Sequence, residues 1–332
     1  METLGAAPQT ERSAPPHAGQ GSALAVLDFI CHQIERQPDN VAPALDLLSA
    51  HLRALKRYSR AAEWTDLVAQ CRAHPLRELL HQDPLTARAF AMSRGYQGDA
   101  ELLDIIYAGD YRPYRATPVT PVGDAIFRYT IACQAPSAVR ERRRYLAAQI
   151  DACCASVVSP HILSVACGHL RELEISRAVQ TRAFGRFVGL DQDAATLAQV
   201  ERTWGPFGVE AQPASVTTFL AHAVNPQRFD FIYAAGLYDY LEDAFAQLVT
   251  SKLFAMLRPG GRLLIGNYTH ETDDAGYMEA YMGWRLIYRD AVAMRELAAT
   301  VPAARVTSAN VVSDTTGAVI YLDLASRAAG DD

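Results

Sequence analysis

From Ala23 to about Ser156 the large apolar side chains return every three or four residues. Leu24, Leu27 and Ile30, then Leu45, Leu48, Leu52 and Leu55, then Leu102, Ile105 and Ile106 each make one stripe along a helix. This spacing predicts helices and no strand in the first half of the chain. Pro38, Pro43, Pro75, Pro84, Pro113, Pro118, Pro121 and Pro136 punctuate it, because proline lacks the N–H and the freedom that a helix interior needs. The longest uninterrupted helix is expected over Ser137 to Val157, with Arg140, Arg142, Arg143 and Arg144 near its start. Those arginines form a solvated face, or an anion-binding group if they turn toward a pocket. Before this region, residues 1–21 carry the adjacent Pro15 and Pro16 and almost no large apolar side chains, so a flexible tail is expected.

After Pro160 the pattern changes to short apolar runs separated by amphipathic helices. Strands are predicted at His161 to Ala166, Phe184 to Leu190, Phe207 to Ala211 (weaker), Phe229 to Ala234 and Gly261 to Tyr268. Helices are predicted at Arg171 to Val179, Ala194 to Trp204 and about Asp243 to Leu257. Runs apolar on both sides and joined by helices are most economically a parallel sheet, whose carboxyl strand ends receive ligands. A helix near Ala291 to Ala298 and β-rich segments at Ala304 to Val312 and Ala318 to Leu324 would finish the sheet with an antiparallel hairpin. The expected division is a tail at 1–21, a helical domain at 22–157 and an α/β domain at 158–326 with an insert at about 269–288.

Charge and cysteine usage narrow the function classes. The 31 basic and 37 acidic side chains leave −6 at neutral pH, so nucleic acid is not an expected partner. No apolar run reaches the ~18 residues of a spanning helix, and the first residues lack a charged stretch followed by an apolar one. Neither membrane insertion nor secretion is expected. Cys31, Cys71, Cys133, Cys153, Cys154 and Cys167 form no C-x-x-C pair and have no histidine at finger spacing, so no metal site is expected and all six read as reduced thiols of a cytoplasmic protein. Exposed faces on the amino-terminal helices would suit a homodimer.

Three strand ends carry chemistry. Ser164-Val165-Ala166-Cys167-Gly168-His169-Leu170-Arg171-Glu172 runs from a strand through small residues toward a helix, where the main chain can approach a ligand closely. Gly189-Leu190-Asp191-Gln192-Asp193 ends the next strand in an acid able to hold a ribose diol, with capping of the following helix as the plain structural alternative. Tyr233-Ala234-Ala235-Gly236-Leu237-Tyr238-Asp239-Tyr240 opens a third strand into a loop, and Leu257-Arg258-Pro259-Gly260-Gly261-Arg262-Leu263-Leu264-Ile265 follows.

Together, over about residues 158–325, these segments resemble the class I S-adenosylmethionine-dependent methyltransferases. The implied architecture is α/β, a Rossmann-like methyltransferase sheet with an all-helical N-terminal cap domain. The acid and two of the three glycines of that family's first turn are absent here. By resemblance, Ala166, Cys167 and Gly168 line the cofactor S-adenosylmethionine (product S-adenosylhomocysteine), Asp191 takes the ribose and Gln192 lies near adenine. Ser215 and Val216 reach the adenine edge, and Ala235, Gly236 and Leu237 border the methionine moiety. Glu172 or Glu174 could meet its ammonium group, or simply supply favourable charge at a helix start.

A narrower likeness adds Arg94-Gly95-Tyr96-Gln97-Gly98-Asp99 with Tyr107, and Gly266-Asn267-Tyr268 with Trp284-Arg285-Leu286-Ile287-Tyr288-Arg289. These are similar to bacterial methyltransferases of 3-hydroxypalmitic acid methyl ester synthesis. The implied partner is a small, lipid-like or specialised-metabolite methyl acceptor, with O-methylation of a carboxylate or hydroxyl favoured. Alternatives are C-methylation of a prenyl diphosphate, a non-catalytic cofactor-binding subunit and a nicotinamide oxidoreductase. Tyr96, Tyr107, Asn267, Tyr268, Tyr281 and Trp284 are expected around the acceptor, under a cap made by residues 90–150 and the insert. Glu172, Tyr238, Tyr240 and His270 are the candidate bases or orienting groups. Arg112, Arg115, Arg128 and the arginines from Arg140 to Arg144 could bind an anionic acceptor.

Overall fold

The computed structural model describes residues 18–115, 117–222 and 229–328. The expected tail therefore lies outside the described residues up to residue 17, and the chain is already helical from Ala18. Helices follow at α1 (Ala18–Arg36), α2 (Ala42–Tyr58), α3 (Ala61–Ala73), α4 (Leu76–Leu80), α5 (Pro84–Ala91), α6 (Ala100–Ala108), α7 (Pro121–Thr130) and α8 (Gln134–Ser156). Several of the prolines start helices rather than interrupt them. Pro84 and Pro121 open α5 and α7, behind Asp83 and Thr120 whose side chains cap the first turn. Pro136 sits in the first turn of α8, where its missing N–H costs nothing, so that helix begins earlier than periodicity suggests.

The described residues of the second half form one seven-stranded sheet: β1 (His161–Val165), β2 (Arg186–Asp191), β3 (Val209–Pro213), β4 (Phe229–Ala234), β5 (Leu257–Tyr268), β6 (Val306–Ser313) and β7 (Val319–Ser326), in the order β3-β2-β1-β4-β5-β7-β6. The first five are parallel, and β7 lies antiparallel between β5 and β6. The chain winds outward from β1 through β3 and then returns to place β4 on the other side of β1. A crevice opens at the carboxyl ends where that order reverses. This is a Rossmann-like, doubly wound α/β sheet closed by an antiparallel pair. β5 starts at Leu257 rather than at the expected Gly261, and the Arg-Pro-Gly-Gly string lies at an irregularity in the β4–β5 ladder.

Alternation along the strands assigns the two faces. Ile162, Phe187, Phe231, Tyr233, Leu264 and Tyr321 face one way, into a core continuous with that of the N-terminal helices. Leu163, Val188, Ile232, Leu263 and Leu322 face the other way, under α12 (Asp243–Ala255) and α14 (Ala291–Glu296). Helix α8 packs on the first face: Tyr145 stacks on Tyr321 with ring centroids 4.3 Å apart, and Gln149 accepts from Arg262. It is thus a layer of the sheet as well as part of the helical half. The expected helix from Arg171 to Val179 is a 3-10 turn (Arg171–Glu174) followed by α9 (Arg177–Gln180). Ser176 takes an extended conformation between them, capping α9 and donating to Asp151 of α8 at 2.6 Å. Helices α10 (Ala194–Trp204) and α11 (Val216–His222) follow β2 and β3.

The insert carries α13 (Ala275–Tyr281), which docks into the helical half. At Gly276 a Cβ would sit 3.0 Å from main-chain atoms of Leu52, so only glycine permits this approach to α2. The buried Glu279 accepts from Lys56 Nζ (2.5 Å) and Trp64 Nε1 (2.6 Å), fixing α13 against α2 and α3. Among the described residues no helix is long and apolar enough to cross a membrane. All six cysteines are free thiols.

Candidate functional site

The turn after β1 is unusually tight. Ala166, Gly168 and Leu170 all hold positive φ, at 53°, 55° and 53°. For the two non-glycines this costs about 1–2 kcal/mol each, so neighbouring groups must hold the conformation. Cys167 N–H donates to Leu190 carbonyl (2.9 Å) and Gly168 N–H to Asp191 Oδ2 (3.0 Å). Trp204 Nε1 donates to the His169 carbonyl (3.1 Å), and the His169 ring bonds Asp104 on α6 (2.8 Å). Asp104 also receives both forks of Arg171 at 2.6 Å. The helical half thus grips the turn through one carboxylate.

This turn edges a cleft of about 550 Å³ across the carboxyl ends of β1, β2 and β4. The structure brings Ala166, Cys167, Gly168, Glu172, Asp191, Gln192, Ser215, Val216, Ala235, Gly236 and Leu237 to its wall, with Tyr96, Tyr107 and Tyr240. Asp191 is mostly covered, its second oxygen accepting from Asp193 N–H (3.0 Å). Ser215 Oγ accepts from Thr218 N–H (3.0 Å) at the start of α11. Glu172 is buried and accepts the Tyr233 hydroxyl at 2.6 Å. Burial pushes its carboxyl above the usual range despite that bond and the nearby Arg142 charge. Burial likewise holds the Cys167 thiol well above its ordinary value.

The opposite wall comes from the helical half: Leu103 and Tyr107 of α6, Arg142 and Leu146 of α8, and the segment 92–99. That segment is strapped down at both ends. Arg94 joins Glu101 (2.5 Å) to Asp193 (3.1 Å), and the Tyr96 hydroxyl donates to Asp193 (3.2 Å). Gln97 donates to the Gly283 carbonyl and accepts from Arg285 N–H. Asp193 serves both this clasp and the amino end of α10, where it accepts from Ala195 and Thr196.

Several expected site residues lie elsewhere. The Tyr238 side chain turns to the far face of the sheet, where its hydroxyl meets Thr250 of α12 at 3.0 Å; Tyr240, two residues on, reaches the cleft. His270 is exposed on the loop after β5, with its ring 5.9 Å from that of Tyr288. Asn267 is buried, donating to the Tyr268 and Ile287 carbonyls and accepting from the buried Arg289, which also ties down Tyr238 and Leu241 carbonyls. Tyr281 is wholly buried in the helical core. Tyr268 and Trp284 line a separate apolar cavity of about 30 Å³, room for roughly one water. Trp284 nevertheless supports the cleft, since its Nε1 donates to the Tyr240 hydroxyl at 2.7 Å.

Among the arginines, Arg112, Arg115 and Arg128 point outward and bond Asp110, Thr117 and Asp124. Arg143 takes Glu174 (2.5 Å) and the Arg171 carbonyl, Arg140 bonds the Ile106 carbonyl and Arg144 pairs with Glu141. Glu174 is thereby spent on arginines. Only Arg142 of this cluster faces the cleft. Tyr233 was not singled out by the sequence, although its alternation with Ile232 and Ala234 marks it as facing the helices.

No protein-family model matches the sequence, and no curated protein matches it. The structure is similar to that of a possible exported protein from Bordetella parapertussis over 95% of this chain and 100% of that one, at 16% identity and TM-score 0.56. Weaker likenesses include magnesium protoporphyrin IX methyltransferase from Synechocystis PCC 6803 with bound SAH, at 10% identity over 69% of this chain and 99% of that one (TM-score 0.43). Another is a SAM-dependent methyltransferase, a possible histamine N-methyltransferase, from Thermotoga maritima, at 12% identity over 55% and 90% (TM-score 0.40). The first of these shares the fold along nearly its whole length, helical half and sheet together.

Proposed function

We propose that this chain is an S-adenosylmethionine-dependent methyltransferase acting on a small-molecule acceptor, with O-methylation of a carboxylate or hydroxyl. The observation that carries the reading is the roofed cleft of about 550 Å³ at the strand tips, with Asp191 and the buried Glu172 both on its wall. The residues present fit the donor. Asp191 would hold the ribose hydroxyls, and Gln192, Ser215 and Val216 would flank the adenine. The left-handed turn at Ala166 to Gly168 brings bare main chain to the methionine part, and Glu172 offers a carboxyl to its ammonium group. The bound donor supplies an electrophilic methyl on a sulfonium. What remains for the chain is to align the acceptor and exclude water, which Tyr96, Tyr107, Tyr240 and the strapped segment 92–99 would do.

The wall groups favour an acceptor that loses no proton. Glu172 is engaged by Tyr233, the Cys167 thiol is held protonated by burial, and the Tyr240 hydroxyl accepts from Trp284. A carboxylate attacks without a base. A prenyl diphosphate would bring several negative charges to a wall where, among the described residues, Arg142 is the one cation. A carboxylate acceptor is also in keeping with the likeness to the methyltransferases of 3-hydroxypalmitic acid methyl ester synthesis. The free thiols suit a reducing compartment, and we place the enzyme in the cytoplasm. The test is incubation with methyl-tritiated S-adenosylmethionine and a pool of small carboxylic acids. Base-labile, extractable label with matching S-adenosylhomocysteine is expected, and label only in base-stable products would reject ester formation.

A further inference from the structure

Among the described residues two arginines are buried. Arg289, 1% exposed, lies 2.7 Å from Asp243. Arg142 is 5% exposed, yet among the described residues no carboxylate oxygen lies within 4.0 Å of its nitrogens. One of its Nη atoms donates to the Ala235 carbonyl at 2.6 Å, while its Nε–H is buried without an acceptor. The buried Glu172 and Asp239 feel its charge but neither is in contact with it, and an incoming carboxylate would offer the guanidinium a matching fork of acceptors.

Resting on the methyltransferase reading above, we propose that Arg142 anchors the carboxylate of an acceptor with an apolar body, and so sets the specificity of the reaction. Its surroundings on the cleft wall suit that body. Leu146 follows one turn later on α8, and Leu103 and Tyr107 stand one turn apart on the adjoining α6. The groups assigned to the donor come from the strand tips, whereas Arg142 and these side chains come from the helices facing them. With the carboxylate held, an oxygen lone pair forms the bond to the methyl carbon as the carbon–sulfur pair leaves with sulfur, and no proton moves. The neutral ester no longer pairs with the guanidinium, which favours its release.

The test is calorimetry on protein saturated with S-adenosylhomocysteine, titrated with octanoate and with its uncharged counterpart octanamide. Wild type, Arg142→Gln, Arg142→Lys and the exposed control Arg144→Gln are compared, with thermal unfolding as the check on folding. Wild type and Arg144→Gln should bind octanoate about 10- to 100-fold tighter than octanamide. Arg142→Gln should erase that preference and Arg142→Lys should keep part of it, with S-adenosylhomocysteine affinity unchanged in all four. If Arg142→Gln weakens S-adenosylhomocysteine while the octanoate preference survives, the guanidinium serves the donor's own carboxylate and the proposal is overturned. Equal binding of the two probes by wild type, or binding of neither, overturns it as well. Failure of wild type to take up S-adenosylhomocysteine at all would instead remove the methyltransferase reading beneath it.

Discussion

The grip of Asp104 on the turn after β1 can be broken by one atom exchange. Asp104 is 3% exposed and accepts from Arg171 Nε and Nη2, both at 2.6 Å, and from His169 Nδ1 at 2.8 Å. Asp104→Asn keeps one acceptor oxygen but leaves a guanidinium fork and an imidazole without their counter-charge. Breaking a buried pair costs about 3–5 kcal/mol. Because the Arg171 side chain is 20% exposed and also pairs with Glu174 at 2.7 Å, the expected loss is nearer about 2–3 kcal/mol. For a chain of 332 residues that lowers Tm by roughly 3–4 °C. The pH dependence fixes the sign. Burial alone would raise the Asp104 carboxyl, but the bonds from Arg171 and His169 carry it below the usual range. A depressed folded-state value stabilises above the unfolded value of about 3.9, and that stability is lost as pH falls through the folded value. Thermal unfolding followed by circular dichroism should therefore show the full gap between wild type and variant at pH 7 and a closing gap in acid. An unchanged Tm at pH 7, or a gap that widens as pH falls, would show that the Asp104 charge does not hold the turn.

Three further outcomes are expected. Asp191→Ala removes the acceptor for Gly168 and Asp193 N–H and the proposed ribose contact, so S-adenosylhomocysteine affinity should fall about 10- to 100-fold, and unchanged affinity by calorimetry would reject the ribose assignment. Burial raises the Asp239 carboxyl to about 6, so its stabilising form is the neutral acid and its contribution is lost as pH rises through that value. Asp239→Asn should match wild type in Tm at low pH and exceed it at pH 8, and the reverse order would show the ionised form to be favoured in the fold. Tyr238→Phe should cost about 1 kcal/mol in denaturant unfolding and leave turnover intact, because its hydroxyl bonds Thr250 on the face away from the cleft; a selective loss of turnover would return Tyr238 to the site.

The strands were legible because buried runs such as Phe229 to Ala234 and His161 to Val165 leave the periodicity little freedom, and Ala194 to Trp204 announces its ends with Asp193 and the glycine after it. Side-chain direction beyond a strand end was not legible. In the 3-10 turn Tyr238–Tyr240 a two-residue step carries the first ring to α12 and the second to the cleft, and no local pattern distinguishes them. Asn267 and Tyr268 read as site residues because they follow the strand tip, yet long-range bonds to Ile287, Arg289 and Ala135 absorb their polar atoms. The broken helix at Arg171 to Val179 shows the same limit, since Asp151 on a distant helix takes the amides that a continuous helix would have used. Arg142 could be named only within a cluster of arginines, because which one faces inward depends on how α8 lies on the sheet.

The proposed function requires a sulfonium donor in the cleft between the strand tips and the helical wall. Isothermal titration of S-adenosylmethionine and S-adenosylhomocysteine into the wild-type protein, with NADH as comparator, reads this out. Saturable one-site uptake of both sulfur compounds, a matching rise in Tm and no heat from NADH are expected. Folded protein that takes up neither sulfur compound, or that takes up NADH in their place, would contradict the proposed function.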